Sequence, residues 1–359
     1  MDLDTIDSHF QDVKNVENIP IDRQVLQVLA KHGTLTAEEL QLTYQQSSLY
    51  PKKIEWLNIA YRFFMGAGLL LLLSGIVFFF AYNWSGLHKF AKLGLVESGI
   101  IIIGIALLST KTSDFVLKLG LTAISVLVGV AFAVFGQIYQ TGADAYDFFL
   151  GWTFFVTAWV AISSFPFLWI FYLMLINITT LLYFEQVQLS TETSTLFFIF
   201  GLLNVLALAI WEYVIQGDRK NWVQILCTRL IGVAIALILT NAVIYTIFDT
   251  QDTIFAWLNV VLYVGGMVMV KIYYNDQIRD IGFVTIGAIS LLVIGNALVL
   301  KTLDSGSGDF IGIFLLLGIA NIVVTVVLVM KLIQLSKDWN PEQVDLSNHK
   351  IEATDEQEK

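Results

Sequence analysis

Ten times between Phe63 and Ile333 the chain enters an apolar run of about 17 to 25 residues with almost no charge in it. That is the length an α-helix needs to cross roughly 30 Å of hydrocarbon. In lipid every backbone N–H and C=O must find a partner within the protein, which leaves only helices and closed barrels. Barrel strands would be shorter and would alternate apolar with polar residues, and these runs do not. Hydrophobic residues make up 57% of the 359 positions and charged ones 14%, against about 25% charged in soluble domains. The fold class that follows is all-α: a polytopic transmembrane helical bundle of about ten spans.

The spans are expected at about 63–82, 93–109, 115–137, 148–166, 168–184, 196–215, 223–247, 253–273, 281–300 and 310–333. The fourth and fifth come from one charge-free stretch, Phe148 to Phe184, interrupted by Ser163-Ser164-Phe165-Pro166. Proline lacks an N–H and restricts the residue before it, so this tetrapeptide favours a turn between two spans over one long kinked helix. Three segments result: 1–62, a cytoplasmic helical N-terminal segment; 63–335, the transmembrane domain; and 336–359, an acidic cytoplasmic tail.

Basic residues near the span ends orient the chain. Lys52, Lys53, Arg62, Lys111, Lys118, Arg219, Lys220, Lys271, Arg279, Lys331 and Lys337 fall on one side, and Lys89, Lys92 and Lys301 on the other. The positive-inside rule places the first set and both termini in the cytoplasm of a bacterial cytoplasmic (inner) membrane. An even number of spans is required for that, and ten satisfies it. The misfit is Asn83 to Lys92, with two bases on the outer side. The first apolar span begins only near Phe63 and no basic n-region precedes it, which argues against a cleaved signal peptide.

The net charge of −10 is concentrated at the two ends, where acids outnumber bases, so neither end reads as a nucleic-acid arm. Thr36 and Glu39 have the spacing of a capping box and Gly33 suits the left-handed end of a preceding helix, giving a short helical hairpin over 21–46. Its apolar face could bury internally or meet a protein partner within residues 1–50. Enzyme chemistry and cofactors are not expected. The four histidines lie outside the spans, the one cysteine, Cys227, forms no CxxC pair, and no GxSxG, HExxH or phosphate-cradling loop occurs.

Polar residues in and beside the spans are the candidate binding set. Glu97 is the most costly in hydrocarbon: it either snorkels outward or pairs with Lys92, or it serves as a proton or cation coupling site. Each span from the fifth to the tenth carries one asparagine, Asn177, Asn204, Asn241, Asn259, Asn296 and Asn321. Tyr139 fits an aromatic belt as well as a ligand pocket, and Asn204, Asn241, Asn259 and Asn296 fall in the outer half by this topology, together with Glu97, Gln137 and Gln140. They either bond between helices or line a polar cavity that binds a small solute. Asp144 and Asp147, three apart, either hold a cation or solvate an outer loop. Glu212, beside Trp211 and Tyr213, and Arg229 read as interfacial residues. The Arg229-Leu230-Ile231-Gly232 and Asn241-Ala242 pattern is echoed by Arg279-Asp280-Ile281-Gly282 and Asn296-Ala297 in another span running the same way, as a duplicated hairpin would give, although the Arg-to-Asn separations differ, 12 against 17.

The turn from Gly33 to Glu39, the first spans, and Gln137-Ile138-Tyr139 followed by Asp144 and Trp152 together resemble the bacterial predicted membrane proteins of domain of unknown function 2157. Where that pattern has glycine immediately before the acid, this chain has Ala143, with Gly142 one place earlier. The resemblance implies a multi-span inner-membrane protein and brings no ligand or catalytic residue with it.

Overall fold

The computed structural model describes residues 53–83, 86–139, 144–188, 191–214, 222–249, 253–304 and 310–339. The N-terminal hairpin with its Thr36–Glu39 box, the loop residue Gln140 and the tail beyond residue 339 lie outside them. Among the described residues every regular element is helical. In chain order they are α1 (Lys53–Asn83), α2 (Lys89–Ser109), α3 (Asp114–Tyr139), α4 (Ala145–Ser163), α5 (Pro166–Gln186), α6 (Thr193–Val214), α7 (Trp222–Phe248), α8 (Ile254–Met269), α9 (Ile281–Asp304) and α10 (Phe310–Trp339). The last turns of α8 widen into a π-helix, Val270–Gln277. Ten of these helical stretches are long and apolar enough to cross a membrane.

Local chemistry sets the ends. Pro166 opens α5 where its missing N–H costs nothing, and Ser164 before it takes the left-handed conformation (φ 47°) that lets the chain reverse. The stretch from Phe148 to Phe184 is therefore two helices. Thr253 caps α8 by accepting from the Ala256 N–H at 3.3 Å, and Ser113 Oγ does the same for Val116 in α3.

Among the described residues between Leu69 and Pro341, buried apolar side chains gather in four small clusters in chain order. Leu73 and Phe80 of α1 meet Val96 of α2 and Ala123, Leu127 and Val134 of α3. Val156, Val160 and Leu168 hold α3, α4 and α5 together. Trp211, Cys227 and Ile231 join α5, α6 and α7, and Leu239, Val243, Tyr263 and Ile294 join α7, α8 and α9. Helix α7 is the hub of the second half, touching α5, α6, α8 and α9, whereas α10 rests chiefly on α9.

Glycine makes the closest helix crossings. A Cβ on Gly136 would stand 2.7 Å from the Phe148 ring and one on Gly151 2.8 Å from Phe132, while the Trp152 indole covers Gly129 and donates its N–H to the Ser125 carbonyl at 2.7 Å. Small residues facing large rings let α3 and α4 interlock where lipid supplies no hydrophobic drive between helices. Gly136, Phe148, Gly151 and Trp152, on either side of the loop between α3 and α4, thus act in packing.

Candidate functional site

Several of the sequence-derived candidates stand on the surface of the bundle. Glu97 is exposed on α2 and has no ion-pair or hydrogen-bond partner among the described residues, so the pairing with Lys92 is not made; Lys92 itself is buried. Gln137 is exposed near the end of α3. Asp144, the residue that precedes α4, and Asp147 in its first turn are both exposed. Tyr139 is half-exposed with its ring 4.7 Å from Phe135. No group of three or more His, Cys, Asp or Glu that could hold a metal ion occurs among the described residues.

The asparagines do not converge on one cavity, because each has its own partner. Asn204 is buried and exchanges amide bonds with Asn177 across α5 and α6, 2.8 and 3.3 Å. Asn241 is exposed and bonds only to the Leu237 carbonyl one turn back. Asn259, fully buried, donates to the Ser194 carbonyl at 2.8 Å and leaves its own carbonyl unmatched, beside a Ser194–Thr253 hydroxyl pair at 2.9 Å. Thr240, Ser290 and Tyr263 form a hydroxyl chain linking α7, α9 and α8.

Where α6 ends, a second polar group gathers around Glu212 and Arg229, which the sequence marks only as interfacial residues. The Glu212 carboxylate, 8% exposed, accepts from the Tyr274 hydroxyl at 2.7 Å and from Tyr273 at 3.5 Å. The widened π-turn brings both neighbouring phenols to one carboxylate, and the Tyr274 ring lies flat on Phe283 at 3.7 Å. Beside it Arg229 forks onto Asp280 (Nη2–Oδ1 2.9 Å, Nε–Oδ1 3.2 Å), while Asp280 Oδ1 also accepts the Gly282 N–H. A Cβ on Gly282 would stand 2.6 Å from Arg229 Nε, and one on Gly232 2.5 Å from Phe283. The two stretches that look like a repeat in the sequence therefore pack against each other. This cluster joins α6, α7, α8 and α9 at one end.

Away from this cluster, between α9 and α10, lies a groove of about 500 Å³ lined by Ala288, Leu291, Leu292, Gly295, Asn296 and Val299 on one wall and Leu317, Ala320, Asn321, Val324 and Leu328 on the other. Its polar side chains are the two asparagines. Asn296 Nδ2 donates to Asn321 Oδ1 at 2.9 Å and Asn321 Nδ2 returns a bond to Asn296 Oδ1 at 2.8 Å. Asn296 Nδ2 also donates to the Leu292 carbonyl, which can only accept and so fixes which end of the amide is nitrogen. Of the sequence-derived set, Asn296 alone lines this groove. Asn321 was visible as one asparagine per span, but its pairing depends on how α9 and α10 are rotated toward each other.

No curated protein and no solved structure matches the chain. Residues 29–169, which take in α1 to α4 and the first residues of α5, match the model of the family described as predicted membrane protein (DUF2157), and it is over this region that the chain shares that family's pattern.

Proposed function

We propose that this multi-span membrane protein binds a small solute that reaches it through the bilayer, in the groove between α9 and α10. The observation that carries the reading is the groove itself: its volume of about 500 Å³ falls within the roughly 300 to 1,000 Å³ of small-molecule sites. Apolar walls with a few fixed polar groups are the usual make-up of such sites. The walls offer two carboxamides and no acid, base or nucleophile, which favours binding over catalysis. Neither a coupling role for exposed Glu97 nor a partner held by residues 1–50 has a comparable observation behind it.

The test is photolabelling of the full-length protein in lipid nanodiscs with a long-chain diazirine probe, read peptide by peptide. Saturable labelling confined to Ala288–Val299 and Leu317–Leu328 is expected. Labelling spread evenly over α1, α2 and the other lipid-exposed helices, without saturation, would refute the reading.

The basic residues beside the spans support a cytoplasmic location for both termini, in a bacterial inner membrane. In a Cys227→Ser background, a cysteine at Ser164 should then be protected from an impermeant maleimide in intact cells and one at Thr191 labelled. The opposite pattern would invert the topology.

A further inference from the structure

The α9–α10 groove has a direction, and we infer from it that the solute is a single-chain amphiphile whose polar head is an uncharged hydroxyl. This rests on the binding reading above and names the class of molecule.

The shape comes first. Each wall runs over twelve lining positions' worth of helix, Ala288 to Val299 and Leu317 to Leu328, so the groove is roughly 16 Å long at 1.5 Å per residue. That is about half the ~30 Å hydrocarbon thickness, the depth of one leaflet. The helices are antiparallel neighbours in sequence, and the asparagine pair sits off-centre in both walls: a short stretch separates Asn296 from Val299 and Leu317 from Asn321, and a longer one leads from Asn296 back to Ala288 and from Asn321 on to Leu328. A polar point near one end and an apolar trough of roughly 10 to 12 Å beyond it match a headgroup and a tail.

The chemistry of the head follows from counting. Both N–H groups of Asn296 are engaged, to Leu292 O and Asn321 Oδ1. Asn321 uses one N–H, to Asn296 Oδ1, so one donor remains. Each carboxamide oxygen accepts one bond and keeps a second lone pair. One donor and two acceptor positions therefore remain unused on the asparagine pair that lines the groove. A hydroxyl can accept from the Asn321 N–H and donate to either oxygen, matching both kinds. An ester or ether oxygen can only accept, and a hydrocarbon uses neither. A carboxylate or ammonium would enter a wall with no charged side chain, at a large desolvation cost.

The experiment competes the diazirine probe against three molecules of equal chain length: a primary alcohol, its methyl ether and the alkane. With wild-type protein in nanodiscs, the alcohol is expected to displace groove labelling at about tenfold lower concentration than the ether or the alkane, the effect of one or two net hydrogen bonds. Asn296→Leu and Asn321→Leu combined, which remove both carboxamides, should bring the three to the same concentration. If groove labelling saturates but the three compete equally in the wild type, the hydroxyl class is wrong and the binding reading stands. If groove labelling never saturates, the binding reading itself is wrong. The wild-type comparison decides between these outcomes even if the double variant does not insert.

Discussion

A buried carboxylate facing two phenols at unequal distances gives a graded test. Tyr274 donates to Glu212 at 2.7 Å and Tyr273 at 3.5 Å, the outer limit of a hydrogen bond. Tyr274→Phe keeps the ring on Phe283 and removes only the hydroxyl, so it should lower stability by about 1.5 to 3 kcal/mol, the range for bonds to a charged group. Tyr273→Phe should cost well under half as much. Unfolding in mixed micelles reads both, and equal losses would show that the two phenols share the carboxylate evenly. Asp280 does two jobs at once, receiving the Arg229 fork and the Gly282 N–H. Asp280→Asn leaves the cap to α9 largely intact but leaves Arg229 without its countercharge, whereas Asp280→Ala removes both. The alanine variant should therefore be the less stable of the two by about 1 kcal/mol, the typical worth of a cap. A reversed order in the same assay would mean that the cap contributes little there.

At the scale of helices, glycine and asparagine decide which pairs hold. Gly129→Ala would push a methyl into the Trp152 indole and disturb its bond to Ser125 O. A loss of about 1 to 3 kcal/mol is expected from overpacking, together with a change in tryptophan fluorescence; Gly104→Ala, where a Cβ meets nothing, should change neither. Much of this layer was legible in the sequence and some was not, for a physical reason. Span length and the Ser163–Pro166 turn depend on local properties, the apolar run and a missing N–H, and so could be read residue by residue. The carboxylate of Glu212 looked interfacial because its partners come from α8, more than sixty positions away along the chain, through a π-turn that leaves no local mark in Val270–Gln277. The asparagines were correctly seen as one per span. Which of them face each other is a matter of helix rotation, and apolar residues on every side of a lipid-exposed helix carry no periodicity from which rotation could be inferred.

Across the whole molecule, stability is local, and this governs how the bundle should come apart. Four small cores link each helix mainly to its neighbours, with α7 as hub, while α10 is exposed along most of its described length and is tied to α9 by the Asn296–Asn321 exchange. Interhelical bonds of this kind contribute only about 0.6 kcal/mol on average inside a membrane bundle, so α10 is held weakly. Pulled from the C-terminus by single-molecule force spectroscopy in a bilayer, α10 should leave first, in its own step. Helices α9 and α8 should follow together at higher force, because Thr240, Ser290 and Tyr263 and the Arg229–Asp280 fork tie them to α7. Asn321→Leu should lower the force of the first step and leave the second unchanged, since the two asparagines share no partner with that network. Extraction of α9 and α10 as one unit would show that the groove between them is closed more firmly than two amides can account for. The same result would leave no room for a solute there, so the mechanical order and the binding reading stand on one feature: a last helix that lies beside the bundle without being packed into it.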